Sequence, residues 1–372
     1  MRFKRTLVAA LVSFTCLAGT GAAAAGAAVS AEQIAVTTPP TGSVAWLHDH
    51  SLGLTMPDPA SASATEVATF FAELTAAQAQ RLVQTYPLVV GNLDGAPLAL
   101  RYQANQLAMR TELDRLKRED PQATAQIAML STLTQPGHQV IAFDPRSRGL
   151  VAEVFGDLAT ADKVAVLVPG SDIDLAHFGK VQTAAQALRG EEQQVSPGTS
   201  TAAIAWADYV TPVGLGADAA TSRLADAGAP RLTRFLSGLA LTSHPSSAPA
   251  LFCHSYGSVV CGVAAPTLHA TGEVTDMVVL GSPGMDIDNA AALGSGVRLW
   301  ATERNATDWI GNVPYLEFAG LGHGQDPTSA GFGSHLVAST GAAGHNGYFV
   351  EGTASLRNFA DIALGHYDDV TG

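Results

Sequence analysis

The stretch Ala248-Pro-Ala-Leu-Phe-Cys-His-Ser-Tyr-Gly257 constrains this chain more than any other. Ala250 to Cys253 is a short apolar run and predicts a buried strand. It stops at His254-Ser255-Tyr256-Gly257, and Ser258 to Ala265 predicts a buried helix ending before Pro266. Strand, sharp turn with a central serine, then helix is the layout of a nucleophile elbow. Such a turn forces the serine into a strained backbone and exposes its hydroxyl at the carboxyl end of a sheet. Gly257, two after the serine, lets the helix start without a clash. The usual pattern also has Gly two before the serine, where Cys253 stands here. A polar turn between strand and helix is the plainer alternative.

The chain has 372 residues, enough for one large domain or two small ones. Residues 1–31 read as an export signal: Arg2, Lys4 and Arg5 form a positive end, Leu7 to Ala18 an apolar stretch, and Val29-Ser30-Ala31 a small-residue cleavage site. The apolar stretch is too short and too rich in Ala, Gly, Ser and Thr for a membrane anchor. No later stretch is long and apolar enough to span a bilayer. The expectation is an exported protein without an integral membrane segment after cleavage. The formal charge is −13, and −16 without the three basic residues of the signal. Nucleic acid and anionic membrane surfaces are therefore excluded as expected partners.

Residues 32–62 are rich in Thr, Pro, Ser and Ala and predict an extended leader. Within it, His48-Asp49-His50 has metal-ligand residue types but no partner cluster, so no metal is expected. Residues 63–132 predict a helical segment. Ser63 with Glu66 and Thr75 with Gln78 are capping boxes, and Val67, Phe70, Phe71 and Leu74 share a helical face. Gly91-Asn-Leu-Asp-Gly95 predicts a turn, and Leu98 to Glu119 a longer helix.

From residue 133 the pattern becomes that of a catalytic domain reaching residue 372. Gln139 to Phe143 and Leu150 to Phe155 suggest a hairpin. Apolar strands at Lys163–Val168, Ala202–Ala207, Ala250–Cys253, Asp276–Leu280 and Val297–Thr302 follow. They alternate with helices near Lys180–Leu188 and Pro230–Leu241, and a last helix spans Ser355–Leu364. This alternation predicts an α/β fold: a mostly parallel mixed sheet flanked by helices, with antiparallel strands at one edge.

A serine hydroxyl is a weak nucleophile. It needs a base, and the base needs an orienting carboxylate. On a nucleophile-elbow sheet the chain order is serine, acid, histidine. Asp308 lies after the Val297–Thr302 strand, where the acid belongs, with Glu303 and Asp286 as rivals. Among the downstream histidines, His345 sits in a Gly-rich loop before the last helix. His323 competes with it, and His335 and His366 are weaker. His254 is expected to point away from the site. The oxyanion of the tetrahedral intermediate needs two donors, assigned to the backbone N–H groups of Tyr256 and of Ser171 in the Val168-Pro-Gly-Ser171 loop.

Several stretches resemble a family of mainly actinobacterial, secreted α/β-hydrolases of unknown function. These are Tyr86-Pro-Leu-Val-Val-Gly-Asn-Leu-Asp-Gly-Ala-Pro97 with Arg101 and Ala104-Asn105, Leu167-Val-Pro-Gly170, and Cys253-His-Ser-Tyr-Gly-Ser258. Asp308-Trp-Ile310, Gly322-His-Gly-Gln-Asp-Pro327, Gly344-His-Asn-Gly-Tyr348 and Ser355-Leu-Arg-Asn358 complete the set. The resemblance implies an α/β-hydrolase fold and supports Ser255, Asp308 and His345, and it leaves the substrate open. The combined expectation is a secreted serine hydrolase acting on a small-molecule or lipid ester through an acyl-enzyme, as a monomer without cofactor. A non-catalytic binding protein on the same fold, or an acyltransferase, is the alternative.

Once the signal is gone two cysteines remain, Cys253 and Cys261. In an elbow the helix runs back beside its strand. Two residues back along the strand is roughly 7 Å and six along the helix roughly 9 Å, so the levels nearly match and a disulfide is expected.

Overall fold

A computed structural model describes residues 37–372. The expected export signal and the first residues of the leader lie outside the described residues. The remaining leader is not wholly extended. It holds a short helix, α1 (Ser43–Leu47), whose Trp46 is fully buried against Phe70 and Tyr86. The buried indole, with Met56, Leu52 and Leu54 packed in the same cluster, docks this segment.

Both capping boxes form, starting α2 (Ala64–Ala72) and α3 (Ala76–Thr85). Helices α4 (Pro87–Asn92), α5 (Leu98–Glu119) and α6 (Thr124–Leu133) complete the helical segment. The expected turn at 91–95 is thus the end of α4 plus a tight loop. Phe70, Phe71, Leu82, Val83, Val89 and Val90 bury a core of their own around Trp46.

The sheet has eight strands: β1 (Gln139–Asp144), β2 (Leu150–Phe155), β3 (Lys163–Val168), β4 (Thr201–Ala207), β5 (Ala250–His254), β6 (Asp276–Leu280), β7 (Arg298–Thr302) and β8 (His335–Val337). Their order is β1-β2-β4-β3-β5-β6-β7-β8. β1 pairs with β2, and β2 with β4, antiparallel; every other pair is parallel. The antiparallel strands form one edge, as the hairpin predicts. Helices α7 (Gly179–Val195), α8 (Arg223–Thr242), α9 (Gly257–Thr271) and α10 (Ala354–Leu364) cover the faces. Two cores result, one under α8 and α9 and one under α7 and α10.

Two helices run further than their prolines suggest. α9 continues through Pro266 to Thr271, and α8 begins at Arg223, seven residues before Pro230. Each proline costs a backbone hydrogen bond. Both helices bury long apolar faces, from Val259 to Leu268 and from Leu224 to Leu239, and that packing outweighs the loss.

The helical segment covers the exposed edge of β1. The Asn92 side chain accepts from Phe143 N–H (3.0 Å) and donates to Phe143 C=O (2.8 Å), as a neighbouring strand would. Asn105 donates to the carbonyls of Val140 and Gly91. A Cβ at Gly91 would come within 2.0 Å of Asn105 Oδ1, so only glycine fits. Asp94 pairs with the buried Arg101 at 2.9 Å. The Gly-Asn-Leu-Asp-Gly stretch is therefore an edge-capping device.

Candidate active site

Parallel strands β3, β5, β6 and β7 end on one side of the sheet, and the candidate residues gather there. Ser255 follows β5 directly with φ +55°, a left-handed conformation that a residue with a side chain adopts only under constraint. Its N–H donates to Leu280 C=O at 2.9 Å, which locks the turn onto β6. The turn fits because its neighbours lack side chains. A Cβ at Gly257 would meet Val168 O at 2.3 Å, and one at Gly170 would meet Ser255 Cβ at 2.5 Å and Oγ at 3.0 Å.

Asp308 sits in the loop after β7 with its side chain fully shielded from solvent. Its Oδ1 accepts from His345 Nδ1 at 2.8 Å and from Ile310 N–H at 3.0 Å. Its Oδ2 accepts from Tyr348 Oη at 2.6 Å. Burial opposes the charge, but the hydrogen bonds from His345, Tyr348 and Ile310 N–H outweigh it and hold the carboxyl below its ordinary value. Since Nδ1 donates to Asp308, the neutral His345 ring carries its acceptor lone pair on Nε2. That atom is buried and meets no hydrogen-bond partner among the described residues. Gly281, at φ +54°, leaves room for the ring: a Cβ there would lie 2.9 Å from His345 Cε1.

Ser255 and His345 line one cavity of about 390 Å³, together with Gly170, Ser171, His254 and Trp309. The backbone N–H groups of Tyr256 and Ser171 are taken by no acceptor among the described residues. No residue of the helical segment lines this cavity.

The rivals lie elsewhere. His323 is buried with both ring nitrogens engaged, Nδ1 with Asp286 Oδ1 (3.1 Å) and Nε2 with Ala219 C=O (2.9 Å). Asp286 also accepts from Ser222 Oγ. That second His–Asp pair joins three loops and has no nitrogen left for a serine. Glu303 is exposed, the His335 ring packs at a tilt against Trp300 of β7, and His366 faces Asp361 beyond α10. In the leader, His48 Nδ1 donates to Val44 C=O and Asp49 accepts from Tyr86 Oη.

One expectation is overturned. His254 does not point away: it lines the cavity and bonds the loop that carries His345. Tyr348, the third donor to Asp308, has one sequence signal, its place three residues after His345. Cys253 and Cys261 are joined by a disulfide, with Cα atoms 6.5 Å apart.

Residues 144–318 match the model of an alpha/beta hydrolase family. The sheet order, the elbow and this match define an α/β-hydrolase fold. An uncharacterized protein of Mycobacterium tuberculosis (strain ATCC 25618 / H37Rv) is 28% identical over 378 residues, covering 83% of this chain and 57% of that one. A second uncharacterized protein of the same strain is 34% identical over 180 residues, covering 45% of this chain and 66% of that one. The chain thus spans little more than half the length of the first relative. A solved arylesterase structure covers 71% of this chain and 98% of its own at 9% identity, with a TM-score of 0.38.

Proposed function

We propose that this protein is an exported serine hydrolase that cleaves carboxylic esters through Ser255, His345 and Asp308. The observation that carries the reading is the His345–Asp308 bond of 2.8 Å. Nε2 of the same ring is buried and unbonded in the cavity that holds a strained Ser255.

The chemistry follows from the atoms. Ser255 Oγ attacks the ester carbonyl while its proton passes to His345 Nε2. The imidazolium so formed bonds to ionised Asp308, whose charge offsets it. The carbonyl electrons move onto oxygen, and the N–H groups of Tyr256 and Ser171 donate hydrogen bonds to the resulting oxyanion. Collapse of the intermediate expels the alkoxide, which takes the proton from Nε2 and leaves an acyl-serine. Water, deprotonated by the same nitrogen, then hydrolyses that ester and restores the serine.

The cavity walls favour an apolar acyl group: Leu167, Ile173, Val181, Ala184, Phe252 and Phe349 all contribute. Export is supported by the basic, apolar and small-residue succession of residues 1–31 and by a disulfide suited to an oxidising compartment.

The test is labelling with a fluorophosphonate probe, paired with hydrolysis of a short activated ester. Ser255 takes the label, and Ser255→Ala loses both labelling and turnover while remaining folded. Unchanged turnover in that variant would falsify the assignment.

A further inference from the structure

We propose that His254 is a positioning residue, donating from Nε2 to the backbone carbonyl of His345 and so fixing the general base to the nucleophile's own strand. The inference rests on the Ser255–His345–Asp308 reading and deepens it.

The Nε2 to carbonyl distance is 2.8 Å. A carbonyl only accepts, so His254 carries its proton on Nε2. The rings of His254 and His345 lie 4.7 Å apart, and Trp309 flanks His345 at 4.3 Å. The base is therefore packed against two aromatic rings.

The loop carrying His345 has other ties. Asn305 Nδ2 donates to Gly344 C=O at 2.8 Å, and Gly344 N–H donates to Thr307 Oγ1 at 2.7 Å. Both fasten the loop to the segment bearing Asp308. They fix base to acid but say nothing of base to serine. His254 supplies that third link. It is the residue immediately before Ser255, it ends β5, and it is registered against Leu280 of β6. Its backbone is thus as fixed as the sheet.

Its charge state suits the role. Burial, then the proximity of His345, push its pKa down to about 4. A neutral ring beside His345 does not oppose formation of the imidazolium during attack, whereas a cation there would.

Two variants separate the bond from the packing. His254→Phe keeps a ring against His345 and loses the donor, and His254→Gln keeps a side-chain N–H donor. His254→Phe should lower kcat about tenfold or more with KM little changed, because the half-buried His345 carbonyl loses its donor and the base is loosened. His254→Gln should recover most of that loss. The His345 Nδ1 proton, read by NMR, reports the geometry without needing turnover: it stays sharp in the wild type and His254→Gln and broadens in His254→Phe. If His254→Phe does not fold, His254→Met against His254→Gln isolates the donor instead, since the two side chains match in length and differ in the N–H. Equal kcat and an unbroadened Nδ1 proton in both variants would overturn the proposal. A wild type that takes no label at Ser255 defeats the triad reading instead, and the Nδ1 proton still tests the contact.

Discussion

Tyr348→Phe removes one oxygen from the site, and the structure gives its size. Tyr348 Oη donates to Asp308 Oδ2 at 2.6 Å, both groups are buried, and this is one of three donors on that carboxylate. A hydrogen bond to a charged group contributes about 1.5–3 kcal/mol. The folded-state pKa of Asp308 lies below its ordinary value, with burial opposing ionisation and the three hydrogen bonds prevailing. Its stabilisation is therefore present above the unfolded value of about 3.9 and lost as pH falls through the folded value. Without the phenol the folded pKa rises. The variant should be less stable by about 1.5–3 kcal/mol at neutral pH, and its stability should converge on the wild type's in acid. Urea unfolding at several pH values measures this. Turnover should fall about tenfold, since a less supported carboxylate orients His345 less well. A stability gap unchanged in acid would assign the loss to packing and refute the argument.

His345→Ala should cost several orders of magnitude in turnover. His323→Ala should be milder in activity but cost about 1–3 kcal/mol in stability, because Asp286 and the Ala219 carbonyl lose a buried partner. Asp308→Asn should lower kcat by roughly 10³–10⁴-fold, through the wrong imidazole tautomer, and Asp286→Asn by far less. Steady-state kinetics on folded variants check both rankings, and a reversed order moves the base or the acid. Reducing the Cys253–Cys261 bridge, whose ends are 8 residues apart, should lower stability by about 2.5 kcal/mol on loop entropy alone. Two alkylatable thiols in protein from an oxidising compartment, under non-reducing denaturing conditions, would show that the bridge does not form.

Local signals were legible in the sequence where the physics is local. The capping boxes at Ser63 and Thr75 and the strand-turn-helix at Ser255 each depend on residues within a few positions. Asp308 and His345 were legible at one remove, because a parallel sheet brings the ends of β5 and β7 to one side. His254 and Tyr348 were not. Their partners lie 91 and 40 residues away, and no spacing in the chain announces such a contact. The three-residue strand β8 gave too short an apolar run, with His335 and Leu336 exposed. Pro230 and Pro266 misled for a different reason: a proline signals a helix boundary only where tertiary packing does not override it.

Cys253 raises the question of how an elbow works without its first glycine. Glycine is needed there when strand, helix and a neighbouring loop all press on the turn. Here the pressure falls on Gly257, against the Val168 and Pro169 carbonyls, and on Gly170, against Ser255 itself. Cys253 is fully buried, and its side chain turns toward α9 to bond Cys261. The Ser258 hydroxyl, one residue past Gly257, donates back to Cys253 C=O at 3.0 Å. Strand end and helix start are thus joined covalently and by a hydrogen bond on the same residue. The two glycines admit the close approach, and the cysteine pins it. A position whose departure weakens the motif in sequence strengthens the elbow in structure.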